Sequence, residues 1–208
     1  MRLPNFNRIV TFSLQLLLIG MVPFFLYGRH YVRAVAALIA VFFSLLPAIV
    51  KRNYKVTMPW LFEFVIALLL LMHLLGLQLN FYATLWWWDK MAHLLGSAIV
   101  GALGFYGVYA LERAGKIQVG LGMIALFTFI FAVAIGAVWE VGEYASDIVL
   151  DTHNQAGNTD TMVDLINDSV AGLIVAILGV WYVRGQPEEK LRDELGKHMT
   201  HIREEGRL

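Results

Sequence analysis

Long apolar segments alternate with short polar ones along the chain, and this pattern predicts the architecture. Six segments are apolar enough to cross a bilayer: residues 9–27, 31–50, 59–77, 89–111, 119–147 and 160–183. Each is close to the ~20 residues that a helix needs to cross ~30 Å of hydrocarbon. Periodicity alone does not separate helix from strand in such segments, and their length favours helices. The sequence therefore predicts an all-α polytopic membrane bundle with six transmembrane helices.

Composition agrees with a membrane protein. The 208 residues are 59% hydrophobic and only 15% charged, whereas a soluble domain carries about 25% charged residues. The net charge of zero gives no indication of a nucleic-acid partner. The absence of cysteine excludes disulfides and thiolate metal sites. We expect residues 1–186 to form the transmembrane domain and residues 187–208 to form an amphipathic cytoplasmic tail.

The distribution of basic residues predicts the orientation. An even number of spans places both termini on one side, and all but three of the sixteen Lys and Arg residues fall there. The exceptions are Arg29, Arg33 and Lys90. Because cytoplasmic segments carry an excess of Lys and Arg, we expect a multi-pass plasma (inner) membrane protein with both termini cytoplasmic. Arg2 and Arg8 precede the first segment as in a signal peptide, but no small-residue cleavage site follows, so we expect a retained helix.

Ionisable residues concentrate at the outward ends of the last three segments. Residues 137–172 contain seven of the sixteen acidic residues and no Lys or Arg. Within each segment the side chains share one helical face at i, i+3 or i, i+4 spacing: Asp89 and His93, then Glu140 and Glu143, then Asp160, Asp164 and Asp168. Ionisable groups inside apolar segments are costly and mark functional sites by default. We therefore expect these three segments to form one outward-facing site.

Several carboxylates in an apolar pocket cannot all stay ionised without compensation. They share protons, pair with cations or bind a metal. We expect Lys90 to remain at the rim, which leaves a metal or shared protons. Oxygen donors with an imidazole suit Zn²⁺, Mg²⁺, Mn²⁺ or Ca²⁺. The predicted metal ligands are His93, Glu140, Glu143, Asp160, Asp164 and Asp168. The competing interpretation is a structural network in which His93 hydrogen-bonds to a backbone carbonyl.

Three segments carry a family resemblance: DKMAHLLG at 89–96, WEVGEY at 139–144 and NTDTMVDLINDSVAG at 158–172. They resemble the YjdF-type family of small bacterial inner-membrane proteins. In that family an Asp four residues before a His, a Glu pair three apart and a D-T-x-x-D element recur in this order. The chain is more loosely similar to VanZ-like proteins linked to glycopeptide tolerance, although Leu94 stands where their D-K-x-x-H-F element has an aromatic residue. The resemblance implies a plasma-membrane protein but no established reaction.

These observations favour a metal-dependent enzyme, a hydrolase or transferase that acts on a membrane lipid or lipid-linked headgroup in the cell envelope. His93 is expected to be a metal ligand or general base and Asp89 to orient it. The alternative is a cation- or proton-coupled transporter that uses the same carboxylates. Transport requires polar groups that continue inward, and beyond Asp168 the sequence offers little except Ser97, Thr128 and Glu63. A non-catalytic membrane scaffold is the third possibility, and the oligomeric state is open.

The orientation can be tested by labelling, because the natural chain contains no cysteine. Single cysteines replace His153, in the loop expected outside, and Gly196, in the tail expected inside. In intact cells an impermeant thiol reagent should label the cysteine at 153 and not the one at 196, and permeabilised cells provide the control for reactivity. Equal labelling of both, or labelling at 196 alone, would contradict the predicted orientation.

Overall fold

A computed structural model describes residues 6–54, 60–113 and 115–186. These residues form α1 (Phe6–Tyr27), α2 (Tyr31–Tyr54), α3 (Trp60–Leu79), α4 (Phe81–Thr84), α5 (Trp88–Arg113), α6 (Gly120–Leu150) and α7 (Asn158–Gly185). All except the short α4 are long and apolar enough to cross a membrane. The predicted all-α class with six membrane-spanning helices is therefore confirmed. The predicted tail at 187–208 and the predicted start of the third segment at residue 59 lie outside the described residues.

The loop between α6 and α7 is shorter than the predicted 148–159. α6 continues to Leu150 and α7 begins at Asn158, so the loop covers only residues 151–157. Asp151 ends α6 in the left-handed conformation, with φ 52°, which Asp tolerates better than most residues. Gly157, with φ 123°, precedes α7 in a conformation that essentially only glycine adopts. Backbone conformation at these two residues, rather than polarity, sets the ends of the helices.

The first compact unit, residues 1–88, contains α1, α2, α3 and α4. The three long helices pack on one another around an apolar core that includes Leu18, Phe25, Ala37, Ala67 and Leu74. Near the end of α3, His73 Nδ1 lies 2.7 Å from the hydroxyl of Tyr82 on α4. A second polar contact joins α2 to α3, because Arg33 donates to Gln78 Oε1 at 2.9 Å. Polar contacts thus join neighbouring helices at this end of the unit.

The second compact unit begins at Asp89 and contains α5, α6 and α7. Small residues allow these helices to approach closely. A Cβ added at Gly172 of α7 would lie 2.9 Å from the Cβ of Ala132 on α6 and 3.3 Å from the carbonyl oxygen of Phe129. Likewise, a Cβ added at Gly179 of α7 would meet the Phe105 ring of α5 at 2.6 Å. These glycines thus allow close approach of α7 to α6 and to α5.

The close approach of α6 and α7 predicts a selective cost for a larger residue at 172. Gly172→Leu should destabilise the protein by about 1–3 kcal/mol, because the added side chain overpacks a backbone contact. Gly142→Leu on α6 is the control, since a Cβ there meets no atom within 4 Å and leucine is the better helix former. The measurement is the apparent melting temperature in detergent. Equal melting of the two variants would contradict close packing at Gly172.

Candidate functional site

His93 of α5 lies at the centre of a cluster of carboxylates from all three helices of the second unit. Its side chain is only 5% exposed. On one edge of the ring, Nδ1 lies 3.2 Å from Oδ1 and 3.3 Å from Oδ2 of Asp168 on α7. On the other edge, Nε2 lies 3.4 Å from Glu140 Oε1 on α6 and 4.0 Å from Asp89 Oδ1. The histidine thus connects α5, α6 and α7 through its two ring nitrogens.

Asp168, rather than Asp89, is the carboxylate within hydrogen-bond distance of His93 Nδ1. The Asp168 side chain is 1% exposed and also accepts a 2.6 Å hydrogen bond from Ser97 Oγ. Asp89 shares a helical face with His93, as its spacing predicts, but at 4.0 Å it is too far for a hydrogen bond. The relative position of α5 and α7 thus places Asp168 nearer to His93 than Asp89, the residue that the sequence analysis expected to orient the ring.

Gln155, in the loop after α6, contacts the site and was missed by sequence reasoning. Its side-chain amide donates to Glu140 Oε2 at 3.3 Å and to the Glu140 carbonyl at 3.3 Å. The same amide lies 3.2 Å from the hydroxyl of Thr161 on α7. Gln155 therefore fixes one oxygen of Glu140 and leaves the other, Oε1, directed at His93. A single glutamine in a polar loop has no spacing signal that would have identified it.

Asp147, near the end of α6, contacts this loop and not the cluster around His93. Its Oδ1 accepts from Thr152 Oγ1 at 2.6 Å and from the Asn154 amide at 2.8 Å, and its Oδ2 accepts from the Gln155 amide at 3.0 Å. Hydrogen bonds from a carboxylate to successive loop groups hold the backbone in a defined turn. The acidic residue at the end of α6 thus positions Gln155 over Glu140.

Lys90, expected at the rim of the site, reaches the carboxylates of α7 with its ammonium group. Its Nζ lies 2.5 Å from Asp160 Oδ1, 3.6 Å from Asp164 Oδ1 and 3.5 Å from Asp89 Oδ2. A lysine on a flexible four-carbon stem places its charge several ångströms from its own backbone, which helical spacing does not reveal. Asp160 therefore has a cationic partner, and this pairing separates it from the other predicted ligands.

Two overlapping sets of donors could hold a metal ion. Their ligand atoms lie within 4.8 Å of one another: Asp89, His93 and Asp164 in one set, and His93, Glu140 and Glu143 in the other. Of the six predicted ligands, His93, Glu140, Glu143 and Asp164 belong to these sets, and Asp160 and Asp168 do not. Both sets include His93, whose Nδ1 faces Asp168. Because His93 is common to both sets, an ion bound by its remaining ring nitrogen would lie next to both.

Three buried atoms in this site have no hydrogen-bond partner among the described residues: His93 Nε2, Glu140 Oε1 and Asp164 Oδ1. Buried polar atoms are otherwise almost always paired. The three come from three different helices: His93 Nε2 and Glu140 Oε1 lie 3.4 Å apart, and Asp164 Oδ1 lies 3.6 Å from Lys90 Nζ. One imidazole nitrogen with carboxylate oxygens is a donor set that divalent cations accept. The donor set is therefore compatible with a divalent cation.

Glu143 places one side of the site next to the apolar surface of α6. Its carboxylate is half-buried and accepts a 3.1 Å hydrogen bond from the indole of Trp139. Neighbouring side chains on α6, Val141 and Tyr144, are exposed. Exposed apolar side chains on a membrane-spanning helix face lipid or another apolar surface. The carboxylate of Glu143 thus lies where the buried site meets this surface.

The fold and the site together define a membrane protein with six candidate spans and a buried carboxylate–imidazole cluster. The sequence model of the family described as "Predicted membrane protein (DUF2238)" matches residues 9–185, and the chain belongs to this family. A Thermotoga maritima protein named "Uncharacterized protein" is 35% identical over 95 residues. That alignment covers 45% of this chain and 48% of the relative, so the chain spans about half the length of that relative. No solved structure matches the chain.

Proposed function

We propose that the protein is a metal-dependent membrane enzyme, a hydrolase or transferase that acts on a lipid or lipid-linked headgroup. The observation that supports it is that His93 belongs to two sets of donor atoms, one with Asp89 and Asp164 and one with Glu140 and Glu143. His93 Nε2, Glu140 Oε1 and Asp164 Oδ1 are buried and have no hydrogen-bond partner among the described residues. Leaving such groups unpaired in an apolar interior costs several kcal/mol. A divalent cation at His93 Nε2, with ligands drawn from these sets, would offset that cost.

The charges around His93 favour a cation over a network of internal hydrogen bonds. Asp168 contacts His93 and Ser97, and the single ammonium of Lys90 contacts Asp160, Asp89 and Asp164. Four carboxylates lie near one imidazole nitrogen, and Lys90 supplies only one positive charge to them: Asp89, Glu140, Glu143 and Asp164. Carboxylates this close in an apolar setting repel one another unless protons or a metal compensate. The proposed ligands are His93, Glu140 and Asp164, with Glu143 completing the set.

The location of the site supports a lipid headgroup as the substrate. Glu143 lies seven residues before the end of α6 at Leu150, about 10 Å along the helix at 1.5 Å per residue. It adjoins exposed apolar side chains, so a substrate anchored in the bilayer reaches it from the side. A divalent ion held by these residues would supply Lewis-acid polarisation of a phosphoryl or acyl oxygen, or activation of water. Asp89, partly exposed and 4.0 Å from His93 Nε2, accepts the proton of the attacking group.

Transport has less support from the packing on the inward side of the cluster. There α6 and α7 close on small residues, with Gly172 against Ala132 and Gly136 against Asp168. Thr128, one of the few polar groups in this region, donates to the Ile124 carbonyl of its own helix at 2.8 Å. Tight apolar packing at this level leaves little room for a hydrated cation. We therefore rank catalysis above transport.

The proposed cellular setting follows from the basic residues and the family. We place the protein in the plasma membrane with both termini in the cytoplasm, because the loop at 151–157 lies on the side poor in Lys and Arg. The site then lies at the outer leaflet. We further propose that the resemblance to YjdF-type proteins reflects the same family that matches residues 9–185.

Metal binding is tested with a charge-matched pair of variants. Asp164→Asn removes a buried ligand oxygen charge, whereas Asp151→Asn removes one charge from an exposed loop residue whose left-handed conformation asparagine also adopts. Metal-free wild type and Asp151→Asn should gain thermal stability with one of Zn²⁺, Mg²⁺, Mn²⁺ or Ca²⁺, by linkage between binding and folding. Asp164→Asn should gain little and should melt no earlier than metal-free wild type, since less repulsion remains. The readouts are melting curves and the bound metal per chain.

The metal site would be contradicted if wild-type protein, shown to be metal-free, gained no thermal stability with any of the four ions. Earlier melting of metal-free Asp164→Asn, with no metal effect in wild type, is the pattern of a structural hydrogen-bond network. A response of Asp164→Asn equal to that of Asp151→Asn would exclude Asp164 as a ligand.

Enzyme activity is tested in proteoliposomes made from a bacterial polar lipid extract. Metal-loaded wild type and Asp151→Asn should change the headgroup composition of the lipids over time. Chelation or Asp89→Asn should reduce the rate of that change by at least about 100-fold, which is the effect expected when a general base is lost. Mass spectrometry of the extracted lipids provides the measurement. Unchanged lipids together with metal-ion uptake into the vesicles would contradict the enzyme and favour transport.

A further inference from the structure

We propose that Asp168 is a positioning residue that holds His93 with its Nε2 lone pair directed at the ion, and is not itself a metal ligand. The inference rests on the proposed function. It differs from the sequence-based expectation, in which Asp168 was a ligand and Asp89 oriented the ring. It also defines which nitrogen of His93 the ion contacts.

The hydrogen-bond chemistry of Asp168 determines the tautomer. Both carboxylate oxygens face His93 Nδ1, at 3.2 and 3.3 Å. An ionised carboxylate only accepts hydrogen bonds, so Nδ1 must carry the proton. A neutral imidazole with its proton on Nδ1 has its lone pair on Nε2, the atom that faces Glu140 Oε1 at 3.4 Å. A histidine that binds metal through one nitrogen commonly donates from the other to a carboxylate in this way.

The surroundings of Asp168 keep its carboxylate away from the ion. Its Oδ1 already accepts from Ser97 Oγ at 2.6 Å in addition to His93. Asp168 is absent from both sets of converging donors, although its side chain is buried. The imidazole ring lies between Asp168 and the side on which Nε2 meets Glu140. The carboxylate can therefore support the ring but not reach the atom that the ring binds.

Gly136 provides the space in which Asp168 lies. A Cβ added at Gly136 would lie 2.6 Å from Cγ of Asp168 and closer still to one of its oxygens. Gly136 precedes Glu140 by four residues, so the two share one face of α6. One face of α6 thus supplies the proposed ligand Glu140. One turn further into the membrane, the same face has Gly136, which leaves space for Asp168.

The test compares Asp168→Asn with the ligand variant Asp164→Asn, with Co²⁺ as the probe. Asp168→Asn should weaken Co²⁺ binding on the order of 10–100-fold. At saturation its visible absorption spectrum should match that of wild type, because the coordinating atoms are unchanged. Asp164→Asn should lose affinity and also change the spectrum. Ser97→Ala, which leaves the carboxylate in place, should lose less affinity than Asp168→Asn and keep the wild-type spectrum.

The tautomer is read directly in wild type, so the test does not depend on the folding of a variant. In Zn²⁺-loaded protein with ¹⁵N-labelled histidine, the His93 resonances, assigned by their loss in His93→Gln, should show a protonated Nδ1 and a metal-bound Nε2. A metal-bound Nδ1, or a changed saturated Co²⁺ spectrum in Asp168→Asn, would overturn the positioning role while metal binding stands. Absence of Co²⁺ and Zn²⁺ binding to wild type would instead overturn the proposed function.

Discussion

The need to compensate buried ionisable groups is the constraint on which the second half of this protein depends. An imidazole and a carboxylate side chain in an apolar interior each need a partner, and here the carboxylates nearest to His93 come from the other two helices. His93 of α5 faces Asp168 of α7 on one edge and Glu140 of α6 on the other. These contacts require the three helices to approach within side-chain distance. The small residues at Gly172 and Gly136 make that approach possible.

Much of the fold could be predicted because the thickness of a bilayer limits the length of a helix. The predicted apolar segments and the observed helices agree to within a few residues at the described ends. The disagreements have local causes. α6 ends at Leu150 because Asp151 adopts a left-handed conformation, and the short helix α4 begins after Asn80, which has φ 58°. A left-handed conformation at a single residue does not alter the pattern of hydrophobic and polar positions, so that pattern does not predict it.

The chemistry of the cluster was visible in the sequence, and its internal contacts were not. Spacing of three or four residues places side chains on one face of one helix, but it contains no information on how that helix is rotated against its neighbour. For this reason Asp168, and not Asp89, reaches the ring of His93. The contact of Lys90 with α7 also depends on how α5 is rotated against α7, and on the length of the lysine side chain. The contact from Gln155 depends on a loop conformation that Asp147 maintains.

The contact between Gly136 and Asp168 has a consequence for reading the sequences of relatives. Residue 136 must be glycine because the carboxylate of Asp168 occupies the space where a side chain would lie. The residue allowed at 136 therefore depends on the residue at 168. In any related chain that retains this helix packing, a larger residue at the place of Gly136 leaves no room for an aspartate at the place of Asp168. The two positions should therefore change together, and the residue at 136 alone should indicate whether a relative keeps this arrangement around its histidine.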